Sequence, residues 1–138
     1  MMERFDNGVI HTVVPAGWKV FEATDSDGRL TDKKLYIYKN AEQPLDIFQK
    51  VGITVCYFGK DTIYLSPKWF YDDVVDLEPF PLGRFQWEGF RCKSLGYPYV
   101  MLEGRLEGAV WQVMILLENQ EERICPGDED VRRILESL

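Results

Sequence analysis

The last third of the chain, residues 82–138, carries the pattern that most restricts the possible folds. Apolar and polar residues alternate there over short runs separated by glycines, which is typical of half-buried strands joined by tight turns. The final segment changes to a helical period, with an apolar stripe made of Val131, Ile134, Leu135 and Leu138. Because such a stripe needs an apolar surface to cover it, the sequence predicts a sheet closed by a C-terminal helix.

A change of alternation at Glu88-Gly89 predicts a hairpin turn at these two residues. Before the turn, the apolar residues Phe85 and Trp87 stand at odd positions. After it, Phe90 and Cys92 stand at even positions. A two-residue turn explains this change, since each strand keeps its own inward face across the turn.

Glu107-Gly108 predicts a second hairpin of the same kind. The strand that follows it, residues 109–117, has apolar residues on both parities. Strands buried on both faces show this pattern, so this strand is expected at the centre of the sheet.

Four further strands are expected in the first half of the chain, at residues 9–14, 18–21, 34–38 and 51–58, where β-branched and aromatic residues are frequent. Ser66-Pro67 resembles a helix start, with a hydroxyl at the N-cap and proline at the first helical position. Phe70, Val74 and Leu77 would then share one helical face, and the helix would end before Pro79. Its late aspartates oppose the helix dipole.

Length and charge narrow the class of protein. A chain of 138 residues with 46% hydrophobic residues is expected to form one domain, spanning residues 1–138. The 16 basic and 23 acidic residues give a net charge of -7, and no basic run is present, which argues against nucleic-acid binding. The N-terminus has no signal-peptide pattern and no apolar run is long enough to span a bilayer, so a cytoplasmic location is expected.

The sequence offers little for catalysis or cofactor binding. Its single histidine, His11, has no nucleophile motif beside it and is interpreted as a strand-edge or surface residue rather than a general base. Cys56, Cys92 and Cys125 are widely spaced, which favours reduced thiols over disulfides or zinc ligation. No phosphate-binding glycine motif occurs. We therefore expect no catalytic residues, no cofactor and no metal.

Two acidic features have a functional and a plain interpretation. Asp25-Ser26-Asp27-Gly28 resembles part of a calcium loop, but the first and last ligand positions would be Ala23 and Lys34, so a solvated turn is favoured. The acidic clusters could line a carboxylate cleft, although charge runs are usually solvated. Their members are Asp72, Asp73, Asp76, Glu78, Glu121 and Glu122.

Three segments together resemble Mog1/PsbP-like domains. These are residues 14–20 (VPAGWKV), residues 87–91 (WEGFR) and residues 130–138 (DVRRILESL). The resemblance implies an α+β fold in which helices pack on both faces of an antiparallel sheet, an α/β/α sandwich. Members of that family include a Ran-binding nuclear factor, an extrinsic photosystem subunit and bacterial adaptors or secretion chaperones. They share no catalytic residues, so the fold alone implies no single function.

The sequence favours binding to a protein partner, as an adaptor or chaperone-like module without catalytic activity. Trp69, Tyr71 and Phe80 are the candidate contact residues, because aromatics on a rigid scaffold are common interface anchors. The plain alternative is that Trp69 and Phe80 only cover the edge of the sheet. The alternative function is a small-molecule-binding protein or weak hydrolase with a carboxylate-lined cleft.

Overall fold

A computed structural model describes residues 2–138. Within this range the chain forms twelve strands, two short 3₁₀ helices and one α-helix. The 3₁₀ helices span Pro44–Phe48 and Pro67–Phe70, and the α-helix α1 spans Glu129–Ser137. The strands are β1 (Glu3–Asp6), β2 (His11–Val14), β3 (Trp18–Thr24), β4 (Leu30–Lys39), β5 (Gly52–Phe58), β6 (Asp72–Asp76), β7 (Phe80–Leu82), β8 (Phe85–Ser94), β9 (Tyr97–Leu106), β10 (Ala109–Leu116), β11 (Glu118–Asn119) and β12 (Glu122–Arg123).

One antiparallel sheet organises the molecule. Its strand order is β3-β4-β5-β10-β9-β8-β6, and β7 joins it by pairing with the first half of β8. Two local meanders, β3-β4-β5 and β8-β9-β10, are therefore joined along a single seam between β5 and β10. The hairpins β1-β2 and β11-β12 form separate two-stranded sheets.

The α/β/α sandwich expected from the sequence is wrong. Strands account for 53% of the chain and helices for 13%. The one α-helix found in residues 2–138 lies at the C-terminal end of this range. This helix packs with the core on one face of the main sheet, which we call the core face. Loops and 3₁₀ segments, rather than a second layer of helices, approach the opposite face, which we call the second face.

The prediction of a C-terminal helix with an inward apolar stripe is confirmed. Val131, Ile134, Leu135 and Leu138 are all buried in the main core. Polar contacts fix the ends of the helix as well: the Trp18 indole N–H donates to the Asp130 carboxylate at 3.1 Å, and the Arg84 side chain donates to the Leu138 carbonyl at 3.1 Å. The terminal segment therefore closes the core.

The helix predicted from Ser66-Pro67 is wrong. Only one 3₁₀ turn, Pro67–Phe70, forms there, and the chain then enters strand β6. Phe70, placed inward by the helical spacing, is almost fully exposed. This segment pairs with the free edge of β8. The hydrogen bonds of that pairing outweigh the preference for a helix that the spacing of only three apolar residues indicates.

The hairpin predicted at Glu88-Gly89 is also wrong, because β8 runs without a turn from Phe85 to Ser94. The alternation changes because the covered face changes along the strand. Phe85 and Trp87 belong to the core face, whereas Phe90 and Cys92 belong to a smaller cluster on the second face. A change in which face is covered leaves the same sequence pattern as a turn.

The hairpin at Glu107-Gly108 and the central position of the following strand are confirmed. Both turn residues have positive φ, 52° and 82°, as a two-residue hairpin of this type requires. Strand β10 lies in the middle of the sheet between β5 and β9. Trp111, Val113 and Ile115 fill the core face, and Leu116 is buried on the other side.

Among the helices of residues 2–138, none has the length and apolar character needed to cross a membrane. The three cysteines carry free thiols, of which Cys125 is exposed.

Candidate functional site

The second face of the main sheet has a different chemistry from the core face. On the core face, the residues that pair between neighbouring strands include Leu35, Val55, Val113 and Leu102, which are all aliphatic. The intervening residues point the other way and form three rows that cross the sheet. The row nearest the loop between β5 and β6 is polar and consists of Lys34, Cys56, Gln112, Glu103 and Glu88. The second row is Tyr36, Thr54, Met114, Met101 and Phe90, and the third is Tyr38, Gly52, Leu116, Tyr99 and Cys92.

A glycine allows one of these tyrosines to lie flat on the sheet. A Cβ at Gly52 would come within 2.3 Å of the Tyr38 ring, so the ring occupies the space that any larger residue would need. Glycine inside a strand commonly marks such a close approach. Tyr38 is buried as a result, and its ring forms a wall of the cleft described next.

Two adjoining cavities on the second face share Tyr38 and Tyr99, and we call them together the tyrosine cleft. The larger cavity, about 320 Å³, is lined by Tyr36, Tyr38, Ile47, Phe48, Tyr97, Tyr99, Leu116 and Asn119. The smaller, about 120 Å³, is lined by Tyr38, Thr54, Tyr71, Ser94, Tyr99, Met101 and Met114. Their combined size is in the range of ordinary ligand pockets.

The lining of the tyrosine cleft is aromatic and hydroxyl-bearing. Across residues 2–138, none of the side chains that line either cavity is an aspartate, glutamate, lysine, arginine or histidine. The Asn119 amide is already used, since it donates to the carbonyls of Phe48 and Lys50 at 3.1 and 3.2 Å. The cleft can therefore offer hydroxyl donors and ring faces to a neutral ligand.

Burial raises the pKa values of three tyrosines of the cleft, Tyr38, Tyr71 and Tyr99. Desolvation raises the pKa of Tyr38 to about 12, and it also raises the pKa values of Tyr71 and Tyr99 above the ordinary value of 10.0. A protonated phenol is a hydrogen-bond donor as well as an acceptor. These three hydroxyls therefore remain donors at an alkaline pH at which an exposed phenol ionises.

These raised pKa values predict an alkaline loss of stability. The contribution of Tyr38 is fully present below pH 10 and is lost as the pH rises through its folded pKa of about 12, because only the unfolded chain ionises readily in that window. The loss attributable to this ring is on the order of 2–3 kcal/mol. Urea unfolding between pH 9 and 12 measures it, and Tyr38→Phe should make the decline shallower. An equally steep decline in that variant would contradict the assignment.

The loop between β5 and β6 exposes four large apolar side chains, which we call the apolar loop: Ile63, Leu65, Trp69 and Phe70. Each is between 81% and 88% exposed, although they lie within eight residues of one another. Single exposed apolar residues are normal on a surface, whereas four in one short loop favour an interaction site.

Tyr64 fastens the apolar loop to the sheet. Its hydroxyl donates to the buried Glu103 carboxylate and accepts from the Gln112 amide at 3.1 Å. Its ring also packs on Phe58 at a centroid distance of 4.9 Å, and Arg105 holds the other Glu103 oxygen at 3.3 Å. Because Tyr64 points inward, the neighbouring Ile63 and Leu65 point outward.

The structure does not bring the three predicted contact residues together. Trp69 lies in the apolar loop and covers nothing, so it does not shield the sheet edge. Tyr71 lies in the tyrosine cleft and packs near Phe90, with ring centroids 6.4 Å apart. Phe80 is half-buried in β7 against the main core.

The most important residues missed from sequence are Tyr36, Tyr38 and Tyr99. A signal for them exists, because in residues 35–38 and 97–102 tyrosines alternate with aliphatic residues, so both parities carry large side chains. Such strands need cover on two faces. The sequence predicts a cover for one face only, the apolar stripe of the C-terminal helix. The face that carries the tyrosines is therefore the face without a predicted cover.

The other candidate residues are placed where they support no catalytic cluster. His11 is exposed at the start of β2. The Asp25 carboxylate accepts hydrogen bonds from its own turn, from the backbone N–H groups of Asp27 at 2.9 Å and Arg29 at 3.1 Å. Within residues 2–138, no three histidine, cysteine or acidic side chains come together in an arrangement that could hold a metal ion.

Three members of the acidic clusters form ion pairs, and none of the six lines the tyrosine cleft. Asp73 lies 3.7 Å from the Lys93 ammonium, and Asp76 accepts a hydrogen bond from Lys68 at 2.5 Å. Glu122 pairs with Lys50 at 3.2 Å. Ion pairs of this kind near the surface contribute little to stability.

Comparisons of the chain with family models, with curated proteins and with solved structures find no match.

Proposed function

We propose that this protein is a non-catalytic protein-binding module of the cytoplasm, and that its contact surface combines the apolar loop with the tyrosine cleft. The observation that carries the proposal is the exposure of four large apolar side chains on a fastened loop. Burial of one such side chain contributes about 1.5–3 kcal/mol, so a partner that covers the loop gains enough for specific binding.

Continuity between the two features supports a single surface. Phe70 is followed directly by Tyr71, which lines the smaller cavity of the cleft. At the other end of the cleft, Phe48 and Tyr97 line the larger cavity and remain partly exposed at its rim. Rigid aromatic anchors surrounded by less exposed neighbours are the usual composition of interface hot spots.

Kinship with Mog1/PsbP-like domains is a separate proposal that depends only on the three sequence segments described above, since the α/β/α sandwich of that family is not the fold of this chain. The weak-hydrolase alternative has less support, since the acidic side chains lie outside the cleft.

Replacing the exposed aromatics is expected to remove partner binding without unfolding the protein. For Trp69→Ala combined with Phe70→Ala, we expect at least a tenfold loss in the amount of partner recovered with the tagged protein from its native host. Quantitative mass spectrometry of the co-purified proteins measures this. The melting temperature should stay within about 2 °C, because neither side chain is buried.

Leu30→Ala is the matched control, because Leu30 is also a large exposed apolar residue but belongs neither to the apolar loop nor to the lining of the tyrosine cleft. This control should recover the same partners as the unmodified protein. Equal recovery by the double variant and by the control would overturn the assignment of the apolar loop as the contact surface.

A further inference from the structure

The tyrosine cleft runs across the strands rather than along them. Its walls come from β4, β5, β10 and β9 in succession, and Tyr71 extends it toward β8. Neighbouring strands lie about 4.8 Å apart, so three to four spacings give a trough of roughly 14–19 Å. A polyproline II helix rises about 3.1 Å per residue, so the trough accommodates about five or six residues in that conformation.

The side chains of the cleft match the needs of an extended, proline-rich chain. Polyproline II has no internal hydrogen bonds, so its carbonyl groups are all free to accept, and its pyrrolidine rings pack on aromatic faces. Tyr38, Tyr71 and Tyr99 supply ring faces and hydroxyl donors at intervals along the trough. No charged side chain of residues 2–138 lines either cavity, so a neutral segment meets no unpaired charge there.

Other shapes fit the cleft less well. An α-helix is about 10–12 Å wide with its side chains, so only single side chains of a helix, and not its backbone, would enter cavities of about 320 and 120 Å³. An added β-strand needs a free sheet edge, whereas the cleft lies on a face. A thin chain with apolar rings along its length is the shape that remains.

The charge of the chain indicates what flanks the segment. At one end of the cleft, the half-buried Asp46 carboxylate accepts hydrogen bonds from the backbone N–H groups of Glu42 and Gln43 at 2.9 and 3.1 Å. At the other end, Asp72 is exposed but lies opposite Lys93 in the ladder. The chain as a whole carries a net charge of -7, so a lysine or arginine next to the proline-rich segment would be attracted to the protein at long range.

We propose that the tyrosine cleft binds a proline-rich segment of the partner protein in the polyproline II conformation, with a basic residue beside it. This inference rests on the proposed function as a protein-binding module and names the chemistry of the partner. Tyr38, Tyr71 and Tyr99 contact the prolines, while the apolar loop contacts a neighbouring part of the same partner.

Fluorescence anisotropy with the full chain tests the inference. The probe is a fluorescein-labelled peptide with six consecutive prolines between two arginines, and the control peptide replaces the prolines with alternating glycine and serine. We expect the proline peptide to bind at least tenfold more tightly. Equal affinities, or no binding of the proline peptide at millimolar concentration, would overturn the inference.

Variants at the rim locate the binding. Tyr97→Ala and Phe48→Ala should each weaken binding of the proline peptide at least threefold, and Leu30→Ala should not change it. The rim residues are partly or largely exposed, so both variants are expected to fold, and amide NMR spectra verify this. Peptide-induced shifts at Gly52 and Ser94 would place the peptide in the cleft, whereas shifts confined to other surfaces would overturn the proposal.

The two proposals fail in different ways. If the proline peptide does not bind but partner recovery still depends on Trp69 and Phe70, only the cleft inference is overturned. If partner recovery is also independent of these residues, the protein-binding proposal falls as well. A dimer of the free chain that dissociates in Tyr97→Ala would show that a second copy occupies the cleft, and this too would overturn the inference.

Discussion

Removal of residues 131–138 is expected to abolish cooperative unfolding and leave an insoluble or unfolded chain. The truncation removes four buried apolar side chains, Val131, Ile134, Leu135 and Leu138. Their burial is worth about 6–12 kcal/mol, which is comparable with the whole stability of a typical domain. It also uncovers the core face of the sheet.

Urea or thermal unfolding followed by circular dichroism measures the effect of this truncation. Arg132→Ala is the matched control, because Arg132 lies on the exposed side of the same helix. This variant should unfold within about 0.5 kcal/mol of the unmodified protein. A truncated chain that keeps its melting temperature would contradict the packing of α1 on the core.

Gly89→Ala is expected to destabilise the protein by roughly 3 kcal/mol or more, at the upper end of what overpacking usually costs. A Cβ at Gly89 would lie 1.9 Å from the Met101 carbonyl oxygen and 3.0 Å from the Leu102 Cα. Both atoms are backbone atoms of β9, which is held between β8 and β10 by ladder hydrogen bonds. Neither can move aside as a flexible side chain would.

Gly127→Ala is the control for this second substitution, because a Cβ at Gly127 meets no atom within 4 Å. We expect its melting temperature to stay within about 2 °C, whereas that of Gly89→Ala should fall by about 10 °C. Similar melting temperatures for the two variants would show that β9 yields at this position.

Much of the sheet could be predicted because its signals are local. The Glu107-Gly108 turn depends on two adjacent residues that tolerate positive φ, and the stripe of α1 depends on spacing within one helix. The strands around residues 18–21, 34–38 and 51–58 follow from β-branched and aromatic composition. These features carry their structural information in a few neighbouring residues.

The errors arose where distant contacts decide the outcome. At Glu88-Gly89, the alternation reports which face is covered, and that cover comes from elements far along the chain. After Pro67, pairing with β8 selects a strand, although the spacing of Phe70, Val74 and Leu77 also suits a helix. Tertiary pairing of this kind routinely overrides local preference.

The candidate site was only partly visible in the sequence for the same reason. The helix predicted after Ser66-Pro67 would make Trp69 and Tyr71 neighbours on one element. In the structure, Trp69 lies in an exposed loop and Tyr71 lies in a wall of the tyrosine cleft. The cleft joins Tyr38 on β4 to Tyr99 on β9, which are far apart in sequence, and this needs the strand order. Parity along a strand indicates the face of a residue, but it does not indicate its neighbours.

The seam between β5 and β10 has a consequence for the rate of folding. Val55 pairs with Val113, 58 positions later, so the seam forms only after a long segment of chain has closed into a loop. Each meander on its own depends on local hairpins and can form early. Joining the two meanders is therefore the slow step. Until they join, β5 and β10 each have an unpaired edge, through which two chains could associate.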